Sequence, residues 1–299
     1  MKKHKICKIL LVILAIFLCV AFYELLGICV AYKKQPEVSN TTKKETKNGS
    51  WNECSENTER AVIIEKNPEA LLQRVRLIKN AKKEIILSTF AFQSDESGKL
   101  ILGALHDAAD RGVHIRLLVD GMESWVDMEG NPYFYGLSSH ENVEIKLYNK
   151  ANPLKPWKMM GRMHDKYLIA DGKRYILGGR NTYNYFLGDF PGHKNYDRDV
   201  LVVCDEPEKE NSVNQLLEYF ETIWEQEDSG YFHDNKKLAN RKSVKNAVLE
   251  LQNGYQKYFE ENKERICDTD YTDETFETEK IALVSNPIHT GSKEPVVWY

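Results

Sequence analysis

The stretch that decides the fold, residues 162–181, has the sequence RMHDKYLIADGKRYILGGRN. Two short apolar runs, Tyr167–Ala170 and Tyr175–Leu177, are typical of β-strands, and the dipeptide Asp171-Gly172 between them is typical of a turn. The pattern therefore predicts a β-hairpin. Such a hairpin would bring the residues that follow its second strand back beside those that precede its first.

Six residues of this stretch form a spaced pattern that suits phosphate chemistry: His164, Lys166, Asp171, Gly178, Gly179 and Asn181. His164 and Lys166 are two apart in an extended segment, so they point to the same face. A neutral imidazole is a competent nucleophile toward phosphorus, and lysine supplies a positive charge for a phosphate. Glycines let the backbone approach a phosphate closely. A His-x-Lys pair alone is usually an ordinary surface pair, but the full spaced set favours a functional site.

The segment from Arg162 through Asn181 resembles the motif of the phospholipase D superfamily, and its Gly-Gly-Arg-Asn ending is similar to that of the cardiolipin synthase branch. Residues 98–120 resemble the first helix and strand of the family, and residues 196–200 resemble its acidic strand after the motif. The resemblance covers about residues 61–290. It implies an α/β/α sandwich, in which a mixed β-sheet is flanked by helices.

The resemblance also implies a two-histidine mechanism. His164 would act as nucleophile or general acid, and water or an alcohol would displace a covalent phosphohistidine. Lys166 and Asn181 would hold the phosphoryl oxygens, and Gly178 and Gly179 would let the strand end approach them. Asp171, grouped with the catalytic residues, would order the motif rather than touch the substrate. No metal or cofactor is implied.

This chain carries one such motif, whereas enzymes of this branch carry two, which together form a single active site. Residues 281–299 resemble the start of a second, truncated half. We expect that the sequence is a fragment of a longer chain or that the second histidine comes from another copy in a homodimer. The fragment is the favoured interpretation.

Helical and strand patterns alternate along the rest of the chain, which predicts an α/β sheet with helices on its faces. The predicted helices cover residues 68–83, 98–111, 208–228 and 236–265. The predicted strands outside the hairpin cover residues 61–64, 84–92, 113–119, 143–148, 199–204 and 281–285.

The N-terminal region, residues 1–32, is the most apolar part of the chain. Its run from Ile6 to Tyr32 contains two charged residues, Lys8 near its start and Glu24, and follows three lysines. Roughly 20 apolar residues span a bilayer, and the apolar core of a signal peptide is usually about 7–15 residues. The length therefore favours a transmembrane anchor over a cleaved signal. Lysines flank both ends, so the side of the membrane on which the catalytic domain lies is left open.

A polar linker is predicted over residues 33–60, and the catalytic half over residues 61–280. The formal net charge of the chain is −4, and a net acidic protein is a poor general binder of nucleic acid. We therefore expect a phospholipase D-type phosphodiesterase or phosphatidyltransferase that is anchored in the cell membrane and acts on phospholipids. Two alternatives stay open: a nuclease-type phosphodiesterase working as a homodimer, and a non-catalytic half-domain that binds anionic headgroups.

The six cysteines form no CxxC and no zinc pattern. Cys7, Cys19 and Cys29 belong to the apolar N-terminal stretch. At most one disulfide can form among the three others, Cys54, Cys204 and Cys267.

Overall fold

The computed structural model describes residues 2–33, 59–158, 161–204, 211–233, 235–279 and 281–285. The predicted linker, apart from its ends, and residues 286–299 of the predicted second half lie outside these ranges, as does Cys54. Within the described residues, Cys204 is buried in the sheet and Cys267 is an exposed thiol.

A nine-stranded sheet runs through the described part of the chain. Its strands are β1 (Glu59–Ile64), β2 (Glu84–Thr89), β3 (His114–Asp120), β4 (Val143–Tyr148), β5 (Tyr167–Ala170), β6 (Arg174–Gly178), β7 (Asp199–Cys204), β8 (Ser229–Tyr231) and β9 (Phe276–Glu277). Their order across the sheet is β8-β4-β3-β2-β5-β6-β7-β1-β9. The pairs β2–β3 and β3–β4 are parallel and the others are antiparallel. The predicted hairpin is β5–β6, and it lies in the middle of this mixed sheet.

Helices cover both faces of the sheet. They are α1 (Lys2–Lys33), α2 (Asn67–Asn80), α3 (Glu96–Asp110), α4 (Gly121–Asp127), α5 (Pro132–Ser138), α6 (Ser212–Trp224), α7 (Lys242–Glu261) and α8 (Lys263–Cys267). The larger core cluster lies between one face and α2, α3, α5, α7 and α8, and the smaller lies between the other face and α6. The predicted α/β/α sandwich with a mixed sheet is confirmed.

Helices α4 and α5 were not predicted from the sequence. Each has seven residues, too few for a helical hydrophobic period to emerge. Both begin at a side-chain cap, because Asp120 accepts from the N–H groups of Met122 and Glu123, and Asn131 accepts from that of Tyr133.

The strand predicted over residues 281–285 is wrong. These residues form no strand pairing in the structure. Ile281 and Leu283 instead pack against the smaller core cluster, and the N–H of Leu283 donates to the Gln215 side chain of α6 at 2.8 Å. Their apolar pattern therefore reflects packing over a helix rather than a place in the sheet.

Helix α1 contains a segment, His4–Val30, that is long and apolar enough to cross a membrane. None of its most apolar window is buried against the rest of the protein. Its C-terminal turns contact the domain at a short 3₁₀ turn formed by Pro156–Lys158.

A buried cluster of charges ties the middle of the sheet to α2. Asp199, at the start of β7, pairs with Arg74 of α2 at 2.8 Å and with Arg180 at 3.3 Å, and all three side chains are at most 4% exposed. Arg180 also donates to the backbone carbonyls of Ile64 and Glu65 at 3.1 and 2.6 Å. One carboxylate therefore pairs with two arginines that reach it from different elements.

Replacing Asp199 by Ala should destabilise the protein by about 3–5 kcal/mol, because two arginines would remain buried without a counter-charge. Urea denaturation followed by circular dichroism measures the change. The matched control is Glu65→Ala, which removes the exposed ion pair with Arg198 and should cost at most about 0.5 kcal/mol. Equal losses for both variants would contradict the importance of the buried cluster.

Strand β7 approaches β6 so closely that no side chain fits on two consecutive residues. A Cβ on Gly178 would overlap the carboxylate of Asp199 and the carbonyl of Arg198, and a Cβ on Gly179 would overlap the carboxylate of Asp197. Gly178 is therefore required by strand packing, whereas a Cβ on Gly179 overlaps only a side chain.

Gly178→Ala should destabilise the protein by about 1–3 kcal/mol, because the overlapped atoms include backbone, which cannot move aside cheaply. Gly254→Ala in α7 is the matched control, since a Cβ there meets open space, and it should stabilise the helix by roughly 0.5–1 kcal/mol. Thermal unfolding of both variants checks the pair, and a neutral Gly178→Ala would disprove the packing constraint.

Candidate functional site

The candidate site lies at one end of the sheet, where the carboxyl ends of β2, β3 and β6 meet the amino ends of β5 and β7. His164 and Lys166 directly precede β5, and Gly178 ends β6. The N–H of Gly178 donates to the carbonyl of Lys166 at 3.1 Å. The β5–β6 hairpin thus brings the two ends of the sequence motif side by side, as predicted.

Phe90, the residue after β2, lies among the cationic groups of the site. Its ring meets the imidazole of His164 edge-on, with 4.7 Å between ring centroids. The guanidinium carbon of Arg162 is 4.8 Å from the centroid of the Phe90 ring, and Lys166 Nζ is 5.4 Å from it. Cations within about 6 Å of an aromatic face are attracted to it. Sequence analysis did not select Phe90, because its contacts depend on the pairing of β2 with β5.

Asp120, at the end of β3, fixes the segment that leads into His164. Its carboxylate is 1% exposed and accepts from Arg162 at 2.7 Å and from the N–H of Met163 at 3.1 Å. The same carboxylate caps α4. Asp120 is therefore the anchor of the segment that carries the candidate nucleophile.

His164 is solvent-exposed at the mouth of the site. Partial burial of its imidazole, followed by the charges of Lys166 and Arg162, lowers the pKa of His164 below its ordinary value of 6.5, while Asp120 opposes the shift. The neutral imidazole, the form that can act as a nucleophile, is therefore the dominant form at neutral pH.

Lys166 is buried, with 4% of its surface exposed. Burial lowers the pKa of Lys166 to about 8, although Asp165 and Asp197 oppose the shift. Its ammonium donates to the carbonyl of His164 at 2.5 Å and forms no ion pair with any residue that the structure describes. The neighbouring Asp165 accepts instead from the hydroxyl of Tyr219 at 2.8 Å. The ammonium is therefore a cation held ready for an anionic ligand.

Asn181 lies just after β6, at the open end of the hairpin, and is 7% exposed. Its amide oxygen accepts from the N–H of Ala91 at 3.2 Å. No described residue accepts from the amide nitrogen, so its N–H groups are the part of the side chain left to bind a ligand. Gly178 and Gly179, which are predicted to let the strand end approach a phosphate, have the space on the Cβ side of their backbone filled by Asp199 and Asp197.

Asp171 lies at the other end of β5, in the turn of the hairpin. It adopts a positive φ of 55°, which aspartate tolerates better than most residues. Its carboxylate accepts from the N–H groups of Lys82, Lys83 and Glu84 at 2.9, 2.8 and 3.0 Å. The structure does not bring Asp171 together with His164 and Lys166, and its contacts join the hairpin turn to the start of β2.

Metal-ligating side chains are not grouped in the described parts of the chain. Among those residues, no set of three or more His, Cys, Asp or Glu side chains is placed to hold a metal ion. The chemistry available at the site is that of the imidazole, the ammonium and the amide described above.

Comparison with known proteins places these features in a family. Residues 74–224 match the family described as cardiolipin synthase, PLD-like domain. An uncharacterized protein of Helicobacter pylori is 30% identical over 212 residues, covering 66% of this chain and 39% of that protein. Cardiolipin synthase C of Escherichia coli is 29% identical over 171 residues, covering 52% and 34%. The chain thus spans less than half the length of these relatives.

Among solved structures, NucT from Helicobacter pylori is similar, with 18% sequence identity and a TM-score of 0.46, covering 58% of this chain and 99% of that one. The family match extends over half of the present sequence and includes the whole His-x-Lys hairpin. The resemblance noted in the sequence is confirmed, and the chain belongs to the cardiolipin synthase branch of the phospholipase D-like family.

Proposed function

We propose that this chain provides one half of a phosphodiester-transfer site that acts on phospholipids through a phosphohistidine. The observation that carries the proposal is the proximity of an exposed imidazole with a lowered pKa, that of His164, to the buried ammonium of Lys166, which forms no ion pair with a carboxylate in the described part of the chain. The first group supplies a nucleophile and the second supplies a binding point for the phosphoryl oxygens.

In the first step the imidazole of His164 attacks phosphorus, so an N–P bond forms as the bond from phosphorus to the leaving alcohol oxygen breaks. That oxygen takes a proton from a general acid. In the second step the oxygen of water or of an acceptor alcohol attacks phosphorus, loses its proton to the same group, and the N–P bond breaks. Lys166 and the amide N–H groups of Asn181 stabilise the negative charge that develops on the non-bridging oxygens.

A single imidazole cannot act as nucleophile and proton donor in the same step. The proposal therefore needs a second His-x-Lys motif, from another half of the same full-length chain or from a second copy in a homodimer. The greater length of the curated relatives agrees with the first source. If the other motif supplies the nucleophile, His164 takes the role of general acid.

Helix α1 supports the phospholipid as the substrate class. Its apolar segment of 27 residues is long enough to hold the catalytic domain as a single-pass anchor at the cell membrane. The family match to the cardiolipin synthase domain points the same way. A site tethered to a bilayer meets phospholipid headgroups at high local concentration.

His164→Asn should lower product formation by at least about 10³-fold, because the amide can neither form the phosphohistidine nor transfer a proton. The assay follows phosphatidylglycerol vesicles incubated with the active assembly, either the homodimer or the chain with its second half. Cardiolipin with free glycerol identifies a transferase, and phosphatidic acid identifies a hydrolase.

His193→Asn is the matched control for this assay, since His193 is an exposed loop residue, and it should leave the rate unchanged. Undiminished turnover by His164→Asn would refute the role of His164. Cleavage of DNA without any lipid product would refute the substrate class while leaving the phosphohistidine chemistry in place.

Binding of an oxyanion should weaken above pH 8. The pKa of Lys166 in the folded protein is about 8, so its positive charge is present below that pH and is lost above it. The dissociation constant of tungstate, measured by calorimetry from pH 6.5 to 9.5, should rise by up to about tenfold per pH unit beyond 8.

Lys166→Arg provides the control, because a guanidinium keeps its charge above pH 12, so the fall in affinity should disappear. A flat profile for the unaltered protein between pH 7 and 9.5 would show that Lys166 does not bind the anion.

A further inference from the structure

The C-terminal turns of α1 are docked on the loop that precedes the catalytic motif. The hydroxyl of Tyr23 donates to the carbonyl of Leu154 at 2.9 Å. One turn later Gly27 is buried against Pro156, whose side chain a Cβ at position 27 would overlap. Residues four apart lie on the same face of a helix, so this face of α1 fits closely against the domain.

A cleft of about 610 Å³ lies between α1 and the catalytic domain. Glu24 and Ile28 of α1 form one wall, and Trp125, Leu147 and Pro153 belong to the opposite wall. Its volume is in the range of small-molecule sites, about 300–1,000 Å³. Glu24 is the only charge of α1 between Ile9 and Val30, and Ile28, the other residue of the α1 wall, is apolar.

Large apolar side chains are exposed beside this cleft. Trp125 and Val126 of α4 are 69% and 74% exposed, and Leu154 is 78% exposed. The first residue before α4 is Asp120, which holds Arg162, and Glu123 within α4 also pairs with Arg162 at 2.9 Å. Helix α4 therefore carries the exposed residues Trp125 and Val126 and also contacts the catalytic segment through Arg162.

The environment of α1 determines what covers this surface. A segment of 27 residues is about 40 Å long as a helix, whereas the hydrocarbon core of a bilayer is about 30 Å thick. The excess of about 10 Å lets the turn that carries Glu24 and the turns after it lie among the headgroups, where a charged side chain costs less than in the hydrocarbon core. A domain surface packed against these turns meets the boundary between headgroups and acyl chains, where tryptophan is enriched.

We infer that the surface formed by Trp125, Val126 and Leu154 rests in the bilayer boundary, with the acyl chain of a phospholipid in the cleft between α4 and α1. The inference rests on the proposed membrane anchor and extends it to a second lipid contact. A lipid held there contacts α4, the helix that Asp120 caps, and α4 in turn contacts the segment that carries His164.

The test places a photoreactive benzophenone amino acid at single positions of the full chain in vesicles of phosphatidylglycerol and phosphatidylcholine. The positions are 125 and 154 on the surface, 17 within α1, and 249 on α7, where Leu249 is 56% exposed on another part of the domain. After irradiation, intact-mass spectrometry counts lipid adducts, and fragmentation locates the linkage on the acyl chain or the headgroup.

Acyl-chain adducts at positions 17, 125 and 154, at least about tenfold above those at 249, are the expected result. Adducts at 17 with only background at 125 and 154 would overturn this inference and leave the anchor intact. Background at all four positions would overturn the anchor and the inference together. Crosslinks from 125 to a second protein copy, in place of lipid, would also overturn it.

A second variant tests the contribution of α1. Gly27→Leu should separate α1 from Pro156 and lower the adduct yield at position 125 several-fold without changing the yield at position 17. Ala21→Leu is the matched control, since Ala21 is exposed on the same helix, and it should change neither yield. An unchanged yield at position 125 in Gly27→Leu would rule out a cleft walled by α1.

Discussion

The buried carboxylate of Asp120 is the contact on which the geometry of the site depends. It ends β3, caps α4 and holds both the Arg162 side chain and the Met163 backbone. Because a buried carboxylate must have its lone pairs satisfied, these partners are held together in one arrangement. The backbone that enters His164 is thereby fixed relative to the parallel part of the sheet. The proposed membrane-facing helix and the proposed nucleophile share this single support.

Burial of Lys166 prepares the site for an anionic ligand but lowers the stability of the folded protein. The folded protein lowers the pKa of Lys166 from 10.5 to about 8, so the charged form of Lys166 destabilises the fold at neutral pH. That penalty is fully present below pH 8 and disappears as the pH rises toward the ordinary pKa of lysine. An anionic phosphate would supply the missing counter-charge. Binding sites that are strained before the ligand arrives commonly show this trade-off between stability and activity.

The buried charge cluster around Asp199 differs from Lys166, because its charged groups are paired within the protein. Asp199 pairs with Arg74 and Arg180, and Arg180 also donates to two backbone carbonyls and to the Asn67 side chain. The arginine of the Gly-Gly-Arg-Asn sequence is therefore structural. It joins the end of β6 to the loop after β1, whereas the adjacent Asn181 keeps N–H groups available. Arg180 thus has a structural role, and its neighbour Asn181 is the one of the two that we expect to bind the ligand.

The sequence alone was sufficient for the hairpin, most of the strands, the apolar N-terminal helix and the family of the motif. Each depends on local periodicity or on spacing within about 20 residues, and both are visible in one dimension. The ends of the elements and the short helices were harder to predict from the sequence, because α4 and α5 depend on caps and packing rather than on a long hydrophobic pattern.

Tertiary structure alone decided which residues surround His164. Phe90 and Asp120 reach it through the pairing of β2 with β5 and of β2 with β3, across separations that no local pattern reveals. The same pairing brings the backbone N–H groups at the start of β2 to the Asp171 carboxylate, and the approach of β7 fills the space beside Gly178 and Gly179. A motif specifies which chemical groups are present. The order of strands in the sheet specifies which of those groups meet, because only the folded chain brings distant segments within contact distance.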